Sequence, residues 1–100
     1  MFDMKNLTKF KKLAELAPGA FKGFVAFDEA AFKEGAIPVK YKELMAVAVA
    51  LTTQCPYCIE IHSKKAKKAG ATAQDLAETT LVAAAIRAGG AVTHGTHTLD

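Results

Sequence analysis

Apolar residues recur along this chain at intervals of three and four, and those intervals predict helices from end to end. Leu7, Phe10, Leu13, Ala14 and Ala17 form the first stripe. A helix is expected to start at Asn6 or Thr8, run through Leu13 and Leu16, and stop at Pro18-Gly19. Phe21, Phe24, Val25, Phe27, Ala31 and Phe32 form a second stripe, ended by Gly35. Pro38 suits the first turn of a third helix that reaches about Thr53. Its segment from Leu44 to Leu51 is apolar on every side, so it is expected to lie centrally and buried. The valines there would also suit a strand, but the alanine content and the length favour a helix. Pro56 opens a fourth helix with Cys55 at or near its N-cap, and Gly70 closes it. Thr72, with Asp75 three residues on, has the form of a capping pair for a fifth helix. That helix carries Leu76, Leu81, Val82 and Ile86 and is expected to end at Gly89-Gly90. A short tail holding His94 and His97 follows. No linker or repeat breaks the pattern, so residues 1–100 are read as a single all-α domain.

Composition sharpens this picture. An apolar share of 51% in 100 residues is enough for a real core, and a charged share of 23% excludes a disordered tail. Alanine is frequent and tryptophan absent, so helices can pack closely while each side chain buries little area. The phenylalanine stripe and the Leu44 to Leu51 segment together offer more apolar surface than so short a chain hides easily. An obligate homo-oligomer is therefore expected. The net charge of +3 is small and spread out, which argues against nucleic acid. The run Lys64, Lys65, Lys67 and Lys68 reads as a solvated helix end. No apolar stretch approaches the ~20 residues that a membrane span needs. Met1-Phe2-Asp3-Met4-Lys5 does not open a secretory signal, so a cytoplasmic location is expected.

In a reducing compartment two cysteines seldom form a permanent staple, which leaves a metal site, a redox pair or inert core residues. The stretch Cys55-Pro56-Tyr57-Cys58-Ile59-Glu60-Ile61-His62 favours the redox pair. Two cysteines three apart in a first helical turn can close a small disulfide. Unpaired N–H groups and the helix dipole at that end favour thiolate over thiol. His62 follows Cys58 by four residues and shares its helix face, so it can take the thiol proton or balance the thiolate. Glu43 enters through hairpin geometry. If the third and fourth helices pack antiparallel, rises of ~1.5 Å per residue bring Glu43 and His62 within about one turn of each other. A carboxylate on an apolar helix needs such a partner if it is buried.

The whole pattern, Glu43-x11-Cys55-x2-Cys58-x3-His62, resembles the signature of the alkyl hydroperoxidase D-like branch of the carboxymuconolactone decarboxylase superfamily. Lys42-Glu43-Leu44 ahead of an Ala/Val helix, and Cys-x-x-Cys-Ile-x-x-His after it, agree with that resemblance, which spans about residues 20 to 90. It implies an all-α bundle of five to six helices with a central antiparallel hairpin, assembled from dimers into hexamers or trimers. It implies a peroxidase or disulfide reductase that needs no cofactor or metal. Cys58 would attack the hydroperoxide through a sulfenic acid, Cys55 would resolve it, and Glu43 and His62 would relay protons. The partners would be a hydroperoxide or disulfide substrate and a thiol reductant, lipoyl, thioredoxin-like or similar. Helix-end electrostatics alone would instead choose Cys55 as the thiolate. Better-characterised members carry a histidine between the cysteines where this chain has Pro56-Tyr57, and Tyr57 is a poor base near neutrality. Three other readings compete: a zinc module using Cys55, Cys58, His62 and His94 or His97; a lactone decarboxylase-like enzyme; and a non-catalytic assembly subunit. Structural zinc wants four ligands, and a decarboxylase has no evident need of the CxxC pair.

Overall fold

Signals at the helix ends fix five α-helices in the computed structural model, which describes residues 2–100. Asp3 accepts a hydrogen bond from Lys5 N–H at 2.9 Å and opens a 3-10 segment over Met4–Lys9. Helix α1 takes over at Phe10–Leu16, so the first turns expected to be α-helical are wound more tightly. Ala17, at φ −138° and ψ 67°, breaks the chain, and α2 (Pro18–Phe32) begins with proline in its first turn. Helix α3 covers Val39–Thr53, α4 covers Pro56–Lys68 and α5 covers Ala73–Gly95. There is no strand among the described residues.

Helix α5 departs most from expectation. It does not stop at Gly89-Gly90 but runs to Gly95, and a 3-10 turn over Thr96–Leu99 follows. A glycine inside a helix costs only about 1 kcal/mol relative to alanine, and neither glycine has the left-handed φ that would end one. The start of α5 is as expected. Thr72 Oγ1 accepts from Asp75 N–H at 3.1 Å, and Asp75 Oδ2 accepts from Thr72 N–H at 2.9 Å. That second bond, followed by Lys40, holds the Asp75 carboxyl below the usual carboxylate range.

The chain packs as two compact units, one ending at Val39 and one beginning at Lys40. In the first, the Phe21 ring lies 5.7 Å from that of Phe10 and 6.2 Å from that of Phe24. No described side chain of that unit's helices is buried.

The second unit holds the core. Helix α4 returns antiparallel to α3, as the approach of Glu43 to His62 requires across the turn at Cys55. Helix α5 lies alongside α3 in the same direction. Lys40 Nζ meets Asp75 Oδ2 at 3.1 Å at one end, and Arg87 Nη1 donates to the Thr52 carbonyl at 2.9 Å at the other. The buried apolar residues are small: Val47, Ala50, Ala66, Ala71 and Ala83. The expectation that all of Leu44 to Leu51 is buried is corrected. Met45 and Val49, one turn apart, remain 52% and 60% exposed. Helices α4 and α5 cover two sides of α3 within this unit and leave this third side open.

Two chain reversals use the same device. Gly70, at φ 103°, follows α4, with Ala71 N–H donating back to the Ala66 carbonyl at 2.9 Å. Gln54, at φ 58°, follows α3, with Cys55 N–H donating back to the Ala50 carbonyl at 3.0 Å. Glycine suits the left-handed region and glutamine does not. Gly70→Ala is expected to lower unfolding free energy by about 1 kcal/mol, and Gln54→Gly is expected not to lower it. Urea titration of both variants checks the pair, and equal losses would contradict it.

Candidate active site

Cys55 does two jobs in the turn between α3 and α4. Its N–H closes the cap on α3, and its side chain caps α4. The left-handed Gln54 turns the chain sharply enough for one residue to serve both ends. Pro56 then sets the first helical turn, where a missing N–H costs nothing. Cys58 falls one turn on, and the two half-buried sulfurs lie 2.8 Å apart within hydrogen-bonding range. Both are free thiols.

The surrounding donors decide which of the two sulfurs ionises more readily. Cys58 N–H points at Cys55 Sγ from 3.4 Å, so Cys55 is the natural acceptor and the Cys58 thiol the donor. The Cys55 thiol accordingly sits below its ordinary value of 9.0. The largest cause is the Cys58 side chain, followed by the Cys58 backbone N–H; slight burial opposes them and the Tyr57 backbone N–H assists.

Glu43 is buried, with 4% of its surface exposed. Its Oε2 lies 2.6 Å from His62 Nδ1. An ionised carboxylate only accepts, so this contact puts a proton on Nδ1 and leaves proton exchange to Nε2. His62 stands one turn beyond Cys58 on the same face of α4. The structure brings Cys55 to Cys58 and Glu43 to His62 by direct contact, and helical spacing puts Cys58 and His62 on one face of α4.

His94 and His97 lie elsewhere on the chain, in the last turn of α5 and the 3-10 turn after it, with ring centroids 5.6 Å apart. Among the described residues, no group of three or more His, Cys, Asp or Glu side chains is placed to hold a metal ion. Among the described residues, no helix is long and apolar enough to cross a membrane. Sequence reasoning missed Gln54 and Arg87, which frame the turn from the side of α5. That Arg87 is the chain's one arginine could have drawn attention to it.

Residues 18–100 match the Carboxymuconolactone decarboxylase family. The chain belongs to that family. A carboxymuconolactone decarboxylase family protein from Legionella pneumophila, whose crystal structure is of its apo form, superposes with a TM-score of 0.77 at 38% identity, over 82% of this chain and 73% of that one. A protein from Methanobacterium thermoautotrophicum superposes with a TM-score of 0.82 at 34% identity, over 88% of this chain and 99% of that one. In sequence, the chain is 46% identical to "Uncharacterized protein 4 in cox locus" of Paracoccus denitrificans over 76 residues, which are 76% of this chain and 68% of that protein. It is 36% identical to an uncharacterized protein of Cupriavidus necator over 70% of its own length, spanning only 62% of that relative.

The Cys55 environment generates a direct expectation. A neutral alkylating reagent should keep reacting with Cys55 as pH falls below 9.0, until the lowered titration is crossed. Cys58→Ala removes the side-chain donor and should move the profile to higher pH. Mass spectrometry of each cysteine across pH 5 to 10 reads both curves, and superimposable profiles would refute the assignment.

Proposed function

We propose that this family member is a thiol-dependent antioxidant enzyme of the alkyl hydroperoxidase D type, reducing hydroperoxides or disulfides through its Cys55–Cys58 dithiol. One observation carries the reading: a dithiol at the head of α4 whose helix face also bears a histidine fixed by a buried glutamate. A lone CxxC could be inert. A CxxC with an oriented base on the same face has what proton-coupled sulfur chemistry requires.

In this reading the two sulfurs divide the work. Cys55, whose titration is lowered, serves as the thiolate that resolves, and Cys58 starts as the thiol. When a hydroperoxide arrives, His62 Nε2 removes the Cys58 proton, with Glu43 balancing the imidazolium through Nδ1–H. Cys58 Sγ attacks the terminal peroxide oxygen, the O–O bond breaks, and the alcohol leaves with the proton returned by His62. The product on Cys58 is a sulfenic acid. Cys55 attacks that sulfur, a disulfide forms and, with one further proton, water departs. Two electrons have passed from the dithiol to the peroxide. An external dithiol then reduces the disulfide by exchange. Such a cycle calls for a reducing compartment, the cytoplasm, where a thiol pool regenerates the enzyme.

We also infer that the working form is a homo-oligomer, dimer-based and built as a hexamer or trimer. The second unit leaves Met45, Val49, Leu81, Val82 and Ile86 exposed, and the first buries no described helix residue. A second copy of the chain, bearing the same apolar faces, is the occupant that covers them. Sedimentation at micromolar concentration should give a mass well above 10.6 kDa, and a clean monomer would overturn the inference.

The relay supplies the sharper test. In a Cys55→Ser background, His62→Ala and Glu43→Gln should each slow the reaction of Cys58 with a hydroperoxide at neutral pH by about 10²–10⁴-fold. The deficit should shrink as pH rises through about 8.5, where thiols ionise unaided. The double variant should lose little more than the worse single one, because the two residues act as a unit. Stopped-flow rates from pH 6 to 10 decide it. Parental rates in both variants, at unchanged helical content, would return Glu43 and His62 to structural roles.

A further inference from the structure

A groove of about 300 Å³ runs between the end of α3 and the middle of α5. Its floor is apolar, with Leu51 and Ala83, and its polar lining is Thr52, Gln54, Thr80 and Arg87. It touches neither the cysteines nor the Glu43–His62 pair, yet Gln54 is covalently joined to Cys55. The groove's lining therefore includes the residue that directly precedes the dithiol in the chain.

Arg87 gives the groove its chemistry. It is the only arginine among thirteen basic residues. Nη1 donates to the Thr52 carbonyl at 2.9 Å, in the last turn of α3, where carbonyls lack helical partners. That bond uses one of five N–H donors and tethers the exposed guanidinium to the end of α3. Ion pairs join Lys40 to Asp75, His62 to Glu43 and Lys64 to Glu60, and Arg87 is in none of these. The nearest acids on α5, Asp75 and Glu78, are bonded to Thr72 and Gln74. A planar, oriented fork without a carboxylate partner, beside a small groove, matches a carboxylate in two-point geometry. The Gln54 amide can add a donor from the side of the dithiol.

We propose that this groove binds the carboxylate of the substrate, so that the enzyme prefers small carboxylate-bearing disulfides or hydroperoxides to uncharged ones. The proposal rests on the dithiol reading for its chemistry but not for its binding. Arg87 holds the anionic end, and the reactive end reaches back past Gln54 to the sulfurs. Arg87 is thus a specificity residue, separate from the proton relay. A bland role also exists for it, as a cap on α3, and that role predicts a loss of stability without a change in preference between substrates.

The test uses the full-length reduced protein and a stoichiometric thiol reaction, so it does not depend on peroxidase turnover. Rates are measured with dithiobis(nitrobenzoate), which carries carboxylates, and with dithiodipyridine, which is uncharged. Arg87→Gln should lower the ratio of the two rates about tenfold, the scale of one charge-assisted pair. Arg87→Lys, which keeps the charge and loses the fork, should fall in between. In the unaltered protein, benzoate should slow the first reagent and leave the second unchanged, a measurement independent of how any variant folds. A ratio unchanged in Arg87→Gln, a ratio in Arg87→Lys equal to the parent's, or benzoate without effect would each overturn the proposal. Hydroperoxide turnover is assayed separately with a fatty-acid hydroperoxide and its methyl ester. Turnover absent with the ratio shifted would sink the peroxidase reading alone. Turnover present with the ratio unchanged would sink the carboxylate site alone.

Discussion

The rest of the second unit depends on a buried carboxylate that has to be balanced. Glu43 sits on a helix of valine and alanine with 4% of its surface exposed, and an unpaired charge there would cost several kcal/mol. His62 supplies the partner at 2.6 Å from the opposing helix. Because the pair is short and shielded, it fixes the register of α3 against α4. A slip of either helix by one residue would strand the carboxylate. The register in turn determines where the chain must reverse, and the reversal is where the cysteines lie. The contact that makes burial of Glu43 tolerable is therefore also the one that orients an imidazole on the face of Cys58.

The reversal has little slack. Cys55 ends one helix and starts the next, so its backbone is committed on the N-terminal side to Ala50 and its sulfur on the C-terminal side to Cys58 N–H. The Cys58 side chain first, and the backbone N–H donors at the helix start after it, lower the titration of Cys55. In the proposed cycle Cys58 starts as the thiol. A sulfur that keeps its proton needs a base to become a nucleophile, and α4 offers one at the next turn. In that cycle the histidine relay and the helix-end electrostatics, which look like rival ways of activating a cysteine, act on different sulfurs.

Much of this was legible in the sequence because it is local. Pro56 after Cys55, the reciprocal Thr72 and Asp75 bonds, and Gly70 beyond a lysine-rich turn each specify a cap within four residues, and each forms as expected. The Glu43–His62 approach is not local, but constant helical rise makes it a matter of counting once a hairpin is assumed. What was not legible involves competition. Gly89-Gly90 reads as a stop, yet two weak penalties do not end a helix when no residue there takes a left-handed φ. Gln54 takes a left-handed conformation with no glycine to announce it, because the cap bond from Cys55 N–H to Ala50 and the packing around the turn outweigh its strain. The open side of α3 at Met45 and Val49 could not be foreseen from an all-apolar run, since burial depends on how many neighbours the fold supplies.

The two ends of the α3–α5 contact illustrate how one fold separates stability from chemistry. At the first end, Lys40 and Asp75 form a half-exposed pair whose carboxylate is already committed to the Thr72 N–H. Screening by water keeps such a pair weak, so it tunes packing and little else. At the far end, the same helices meet through an arginine and a backbone carbonyl, with no acid to neutralise the charge. The carbonyl orients the guanidinium without discharging it. A cation left unneutralised beside a reactive turn biases what approaches that turn, because anions are drawn to it and neutral molecules are not. The two ends look alike as helix-to-helix tethers, but only the second holds a cation with no carboxylate in its ion-pair range, at the end of α3 that leads into the dithiol turn. On the readings proposed above, α3 and α4 set the chemistry at the sulfurs, and α5 carries the cation that selects what approaches them.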